Sequence, residues 1–317
     1  MSNTNMQMRF DDKVVVVTGA GRGLGREHAL QFAARGAKVV VNDLGVESDG
    51  DGTDVSIAQT VVDEIANAGG TAVADTHSVA DATGAAGVID TALNSFGRID
   101  VLVNNAGIIT YGLFGDLNED QWRRMQSVTV DGTFFMCRAS WPVFRAQGSG
   151  AIVNITSNAG YVGCPQLSHY GTAKLAVAGL TKSLALEGEE LGIRVNAIAP
   201  MAITRMNREA FFSTAERESE DWQAEIRNGQ SPMGPAEIVS PTVLWLAHQS
   251  TTENGEIFST SSGKVARIAF IVGEGWFDPN HTPEDLQEHA QKIRELGDYS
   301  EPKSVNDELS VIPALFG

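Results

Sequence analysis

Val14-Val15-Val16-Val17 is the feature that most restricts how this chain can fold. A strand whose successive residues are all apolar buries both of its faces, so it belongs inside a sheet covered by helices on either side. The run ends in Thr18-Gly19-Ala20-Gly21-Arg22-Gly23-Leu24-Gly25 and passes directly into a helical pattern. Glycines there allow a tight turn and let backbone N–H groups approach a pyrophosphate, with the helix N-terminus facing the anion. Gly19, Arg22, Gly23, Leu24 and Gly25 are therefore candidate cofactor contacts. Taken alone, such a turn is equally a plain strand-to-helix connection.

The rhythm continues along the chain. Strands are expected near Val14–Thr18, Lys38–Asn42, Thr71–Ala74, Val101–Asn104, Ala151–Ile155, Arg194–Ile198 and Glu256–Phe258. Helices are expected over Leu24–Ala34, Ile57–Ala68, Ala85–Phe96, Glu119–Arg145, Tyr170–Leu191 and Ile238–Ala247. The alternation predicts an α/β fold with a doubly wound, Rossmann-like parallel sheet of about seven strands. Residues 1–263 form its catalytic, dinucleotide-binding domain, and residues 264–317 a C-terminal extension packed on that domain or on a neighbouring subunit. Within the extension, Thr282-Pro283-Glu284-Asp285 reads as a capped helix start and Gly297 as its stop. Arg205–Gly229 reads either as a substrate-covering lid or as a solvated surface helix.

Asp43 closes the second expected strand. A carboxylate there accepts hydrogen bonds from the adenosine ribose hydroxyls and repels a 2′-phosphate. Arg22 pulls towards NADP. Asp43 weighs more, because it holds the ribose position and the acidic loop Gly45–Thr53 follows it, so NAD is expected. Asn104-Asn105-Ala106-Gly107 closes the fourth strand, where Asn105, Ala106 and Gly107 can approach a cofactor closely. Tyr170 and Lys174 stand four residues apart on one helix face. Ser157 closes the fifth strand. A phenol titrates near 10, and Lys174 together with an oxidised nicotinamide would favour its ionised form. Tyr170 then exchanges the proton of an alcohol, and Ser157 hydrogen-bonds the reacting oxygen.

In their order, Thr18–Gly25, Asn104–Gly107, Ser157, Tyr170-Gly171-Thr172-Ala173-Lys174 and Asn196-Ala197-Ile198-Ala199-Pro200 resemble the short-chain dehydrogenase/reductase family over residues 9–263. Val41-Asn42-Asp43-Leu44-Gly45, Leu244-Trp245-Leu246-Ala247-His248 and Glu253-Asn254-Gly255 further resemble the hydroxyacyl-CoA dehydrogenase branch found in peroxisomal multifunctional enzymes of type 2, a group that also holds hydroxysteroid enzymes. The resemblance implies adenine-side contacts from Ser78 and Val79, and nicotinamide contacts from Pro200, Ile203 and Thr204. It also implies a homodimer or homotetramer built on the long fourth and fifth helices. Four positions depart from the family pattern. Thr129 stands where the family has a proton-relay Asn, Met201 where it has Gly, and Ser78 where it has Asp; Thr204 comes one residue early.

Cys164, Met201 and Met206 are candidate substrate-lining residues, and each is equally a packed side chain. The six histidines show no metal-ligand spacing. A net charge of −17 argues against nucleic acid and anionic membranes. The N-terminus lacks a signal peptide's apolar core, and the C-terminus does not read Ser-Lys-Leu, so cytoplasm is the expected location. The expected activity is NAD-dependent hydride transfer between nicotinamide and a bulky hydrophobic secondary alcohol or ketone: a 3-hydroxyacyl-CoA, a hydroxysteroid or a terpenoid alcohol. The competing readings are an NADP-linked ketoreductase and a non-catalytic dinucleotide-binding regulator.

Overall fold

The structure is a computed structural model that describes residues 7–204, 224 and 233–310. The chain divides into two units, 1–267 and 268–317.

The first unit is built on β1 (Val14–Thr18), β2 (Lys38–Asn42), β3 (Thr71–Asp75), β4 (Val101–Asn104), β5 (Gly150–Ile155) and β6 (Ile193–Ile203). The two-residue β7 (Gly234–Pro235), β8 (Ile257–Ser261) and β9 (Lys264–Ile268) complete it. The strand order is β3-β2-β1-β4-β5-β6-β8-β9, with β7 beside β6. Each pairing among β1 to β6, and of β6 with β7 and β8, is parallel. The sheet runs past residue 263, the limit expected above. Ser262 and Gly263 both take positive φ and turn the chain from β8 into β9, as a two-residue hairpin loop requires.

The valine run explains the layers. Val15 and Val17 pack with Val39, Val41, Phe32, Ile65 and Leu244 in one core. Val14 and Val16 pack with Val40, Leu102, Val88, Met136 and Phe144 in another. Alternate side chains point to opposite faces of a strand, so one strand feeds two cores. The first core is covered by α1 (Gly23–Ala34), α2 (Ser56–Asn67) and α8 (Ser240–Ala247), and the second by α3 (Ala82–Phe96) and α5 (Gly132–Gln147). Order reverses between β1 and β4, and a doubly wound sheet opens its crevice there, beyond the C-terminal strand ends.

One expected helix is interrupted. Glu119–Arg145 resolves into α4 (Glu119–Gln126), a π-helical turn over Ser127–Asp131 and α5. Such turns change the helix register and frequently mark functional sites. The other helices that bear on the site are α6 (Asn158–Val162) and α7 (Ser168–Gly188). No helix among the described residues is long and apolar enough to cross a membrane. The expected lid, Arg205–Gly229, and Met206 within it lie outside the described residues, apart from residue 224.

In the second unit Thr282 caps the helix Pro283–Glu288 with Asp285 in a reciprocal capping box, at the start the sequence predicts. The helix stops earlier than Gly297. His289 stacks on Trp276, with ring centroids 4.2 Å apart. A separate short helix, Ala290–Arg294, follows.

His28 on α1 is fully buried, with Nδ1 2.7 Å from the Ser240 hydroxyl of α8. Burial pushes its pKa down to about 3. The unfolded chain takes up this proton as pH falls through about 6.5, whereas the folded protein does not. The stability tied to neutral His28 is therefore complete above pH 6.5 and is lost progressively towards pH 3. Between pH 7 and 5 the loss is about 2 kcal/mol. Denaturant titrations of the parent and of His28→Gln check this: the parent loses that stability, and the variant's curve is flatter by the same amount. Equal slopes would contradict it.

Candidate active site

The crevice at the C-terminal strand ends encloses about 280 Å³. Its floor is the glycine turn. Gly19 and Gly23 take positive φ, a conformation that costs other residues about 1–2 kcal/mol. A Cβ on Gly19 would lie 2.8 Å from Ala106 Cα, and one on Gly21 2.3 Å from the Ile57 side chain. Thr18 and Asn105 lock the first turn to the fourth strand's end. The Thr18 hydroxyl accepts from the backbone N–H of Asn105 (3.1 Å) and of Ala106 (3.0 Å). The Asn105 amide donates to the Thr18 and Gly19 carbonyls. No side chain caps α1, so its first backbone N–H groups are open to an anion. Close backbone packing, positive-φ glycines and an uncapped helix start fit a dinucleotide pyrophosphate.

Gly19, Arg22, Gly23 and Leu24 line the crevice, and so do Asp43, Ser78, Val79, Asn105, Ala106, Gly107, Tyr170, Lys174, Pro200 and Thr204. Gly25, Thr129, Ser157, Cys164, Met201 and Ile203 do not, although Ser157 directly follows the lining residue Thr156. Gly25 is closely packed: a Cβ there would sit 2.2 Å from the Gly19 carbonyl oxygen and 2.4 Å from the Asn105 amide. Thr204 lies near Gly23, 3.8 Å from where a Cβ would be.

At the end of β2, Asp43 accepts from Gly21 N–H and Gly45 N–H, both at 2.7 Å. A carboxylate oxygen has a second lone pair for a ribose hydroxyl. Asn42 donates to Asp75 (2.7 Å) and to the His77 carbonyl (2.9 Å), holding the backbone that leads into Ser78 and Val79. Sequence reasoning missed Thr18, Asn42 and the wall formed by Val46, Glu47, Ser48 and Gly50. The polar ends of β1 and β2 were a readable signal for the first two. The loop's acidity is legible in the sequence, but its path across the crevice is not.

Ser157 ends β5 and caps α6, accepting from Ala159 N–H at 3.2 Å. It also hydrogen-bonds the Tyr170 phenol. Burial pushes that phenol up to about 12, against the pull of the Ser157 bond, and Tyr111 acts in the same direction as burial. Lys174 is buried, donates to the Ile155 carbonyl at 2.8 Å and lies 5.7 Å from the Tyr170 ring centroid. Burial lowers its pKa to about 8. The sequence suggests that Lys174 helps to ionise the phenol. In the protein alone, burial dominates both groups, so near neutral pH the phenol is protonated while Lys174 remains mostly charged. Thr129 lies on the π turn. Its hydroxyl points to Met125 Sδ (3.7 Å), and its carbonyl accepts from the Thr133 hydroxyl (2.7 Å).

His169 is fully buried and lies 2.7 Å from the Thr110 hydroxyl, and Gly112 N–H donates to the Gln166 carbonyl. These bonds join the loop after β4 to the segment before α7. Leu113, Phe114 and Val162 are strongly exposed nearby in sequence.

The short chain dehydrogenase family model matches residues 13–215. The peroxisomal multifunctional enzyme A of Dictyostelium discoideum is 38% identical over 98% of this chain and 66% of its own length. A putative short-chain type dehydrogenase/reductase of Mycobacterium tuberculosis is 40% identical over 92% of this chain and 96% of its own. A solved 7α-hydroxysteroid dehydrogenase, in complex with NADH and 7-oxo glycochenodeoxycholic acid, superposes with a TM-score of 0.71 at 29% identity. The alignment covers 83% of this chain and 98% of that one. Against the peroxisomal multifunctional enzymes it matches, the chain spans between 31% and 66% of their length.

Proposed function

The chain belongs to the short-chain dehydrogenase family and is an oxidoreductase of that class; we infer that it oxidises a bulky hydrophobic secondary alcohol with NAD, or runs the reverse reduction. The observation that carries this reading is a crevice lined by Tyr170, Lys174 and Asp43, with Ser157 beside the Tyr170 phenol.

The glycine turn and the start of α1 would hold the pyrophosphate. Asp43 would hold the adenosine ribose, with Ser78 and Val79 beside the adenine. Pro200 and Thr204 would border the nicotinamide, and Lys174 would donate to its ribose. When bound, the oxidised nicotinamide ring accepts the hydride and brings a positive charge into the site. Ser157 donates to the substrate oxygen and fixes it beside Tyr170. The Tyr170 oxygen takes the alcohol proton in oxidation and returns it in reduction. Charged Lys174 favours the phenolate electrostatically. The gap between a phenol at about 12 and neutral pH is large, roughly 7 kcal/mol at 1.36 kcal/mol per unit. Completing the site with positive charge is therefore part of activating the base. Thr129 has both its hydroxyl and its carbonyl engaged within its own helix, which favours a packing role over a relay role.

Exposed Leu113, Phe114 and Val162, on the segments that flank Tyr170, support an apolar substrate. Cys164 is a further candidate contact, since it is close enough to act on Tyr111. Hydroxyacyl thioesters and hydroxysteroids are the leading classes, the first from the resemblance carried by Val41–Gly45, Leu244–His248 and Glu253–Gly255, the second from the similarity to a 7α-hydroxysteroid dehydrogenase. Exposed Phe134 on α5 and Leu175 and Leu186 on α7 support a homodimer or homotetramer formed through those helices.

The test is NAD reduction followed by absorbance on 3-hydroxyacyl-CoA enantiomers, hydroxysteroids and cyclic terpenoid alcohols, with NADP alongside. Turnover of one class with NAD is expected. A lower KM for NADP than for NAD would overturn the cofactor assignment. NAD binding without turnover of any alcohol would favour the non-catalytic reading.

A further inference from the structure

Arg22 and Asp43 place opposite demands on the adenosine end of the crevice, since the first attracts a 2′-phosphate and the second repels it. We propose that Glu47, on the loop after β2, is a specificity-determining residue that holds the Arg22 guanidinium in an intramolecular ion pair and so withholds it from a 2′-phosphate. This rests on the NAD reading above and assigns part of that preference to a residue outside the glycine turn and the strand end.

The geometry places both groups together. Arg22 Nη1 lies 3.5 Å from Glu47 Oε1 and donates to the Val46 carbonyl at 3.4 Å. Arg22, Asp43, Glu47, Ser48 and Gly50 line the same crevice. An ion pair between two freely moving surface side chains contributes little. Here the backbone carrying Glu47 is pinned independently of the pair. Glu47 N–H donates to the Asp51 carbonyl (2.7 Å), and Gly50 N–H donates to the Glu47 carbonyl (2.9 Å). Ile109 N–H donates to the Ser48 carbonyl at 2.9 Å, which fastens the loop to the segment after β4. Arg124 of α4 donates to the Gly50 carbonyl (2.8 Å) and pairs with Asp51 (2.6 Å). The loop is thus tied to two other parts of the unit, and Glu47 is presented to Arg22 rather than wandering to it.

A dianionic 2′-phosphate entering this corner meets the Asp43 carboxylate, while the nearest cation is already engaged by Glu47. A free 2′-hydroxyl makes no demand on Arg22 and can donate to a carboxylate. The pair therefore penalises one cofactor and is neutral towards the other.

Glu47→Gln removes the charge and keeps the shape. Dissociation constants for oxidised NAD and NADP, measured by isothermal titration in low salt, are compared across four proteins: the parent, Glu47→Gln, Arg22→Ala and the double variant. The expected result is that Glu47→Gln improves the affinity for NADP relative to NAD by about five- to tenfold. The gain disappears when Arg22 is also replaced. An unchanged NADP-to-NAD ratio in Glu47→Gln overturns the proposal. A gain of the same size that persists without Arg22 also overturns it, because Glu47 would then act by repelling the phosphate directly. A parent that binds NADP more tightly than NAD overturns the NAD reading itself, and that result is seen before any variant is compared.

Discussion

Tyr170→Phe lowers kcat for alcohol oxidation by about a thousandfold or more while leaving the dissociation constant for NAD within a few-fold of the parent. A positioned acid/base contributes about 10²–10⁴ in rate, and this side chain also anchors the Ser157 hydroxyl. The change deletes one oxygen and keeps the ring that lies against Lys174, so the crevice holds its shape. Steady-state kinetics and cofactor titration separate the two quantities. Retained turnover would remove Tyr170 from the chemistry, and lost cofactor binding would make it a structural residue instead. The pH profile gives a second check. The reactive form in oxidation is the phenolate, and burial raises the phenol's pKa to about 12 in the protein alone. A raised pKa makes the base scarcer at a given pH. Oxidation by the parent therefore accelerates as pH rises from 6 towards the pKa of the loaded site, whereas reduction, which needs the phenol, slows over the same range. A parent profile flat from pH 6 to 9, with chemistry rate-limiting, would contradict this.

Gly25→Val weakens NAD binding by about a hundredfold, because overpacking a closed site costs about 1–3 kcal/mol. The first added carbon meets the Gly19 carbonyl oxygen at 2.2 Å and the Asn105 amide at 2.4 Å. Neither atom is the free end of a flexible chain. One is backbone, and the other ties the first turn to the fourth strand. Relief requires α1 to move away from the turn that it completes. Gly23→Ala is the comparison. Among protein atoms its added carbon meets only Thr204, at 3.8 Å, so its cost to the fold is the positive φ, about 1–2 kcal/mol. Calorimetric titration of both variants should therefore rank Gly25→Val as the more damaging. The reverse order would show that the crowding at Gly25 is relieved by a small shift and would overturn its packing role. The melting temperature of Gly25→Val falls as well, because the lost Asn105 bonds are structural.

Much of this site was legible because its determinants are local. Four consecutive valines can be satisfied only between two cores, and that places the glycine turn at the open end of a central strand. Tyr170 and Lys174 share a face through helix periodicity alone, and Asp43 stands where its strand ends. For Gly25 the sequence suggests a cofactor contact, and the fold adds that helix and turn touch there, which spacing along the chain does not show. Thr129 falls inside the expected helix Glu119–Arg145, but the π turn at Ser127–Asp131 changes the register there, and no local pattern announces such a turn.

What the sequence determined by itself is the set of features carried by neighbours along the chain: strands and helices, the order of the motifs, and the residue types at the strand ends. What only the tertiary structure decided are the contacts between distant segments. The loop after β2 crosses to Ile109 and Arg124, giving Glu47 its place beside Arg22. Burial, and not proximity to Lys174, dominates the Tyr170 phenol. Both depend on which surfaces the fold removes from water and which charges it brings within a few ångströms, and that is a property of packing rather than of spacing along the chain.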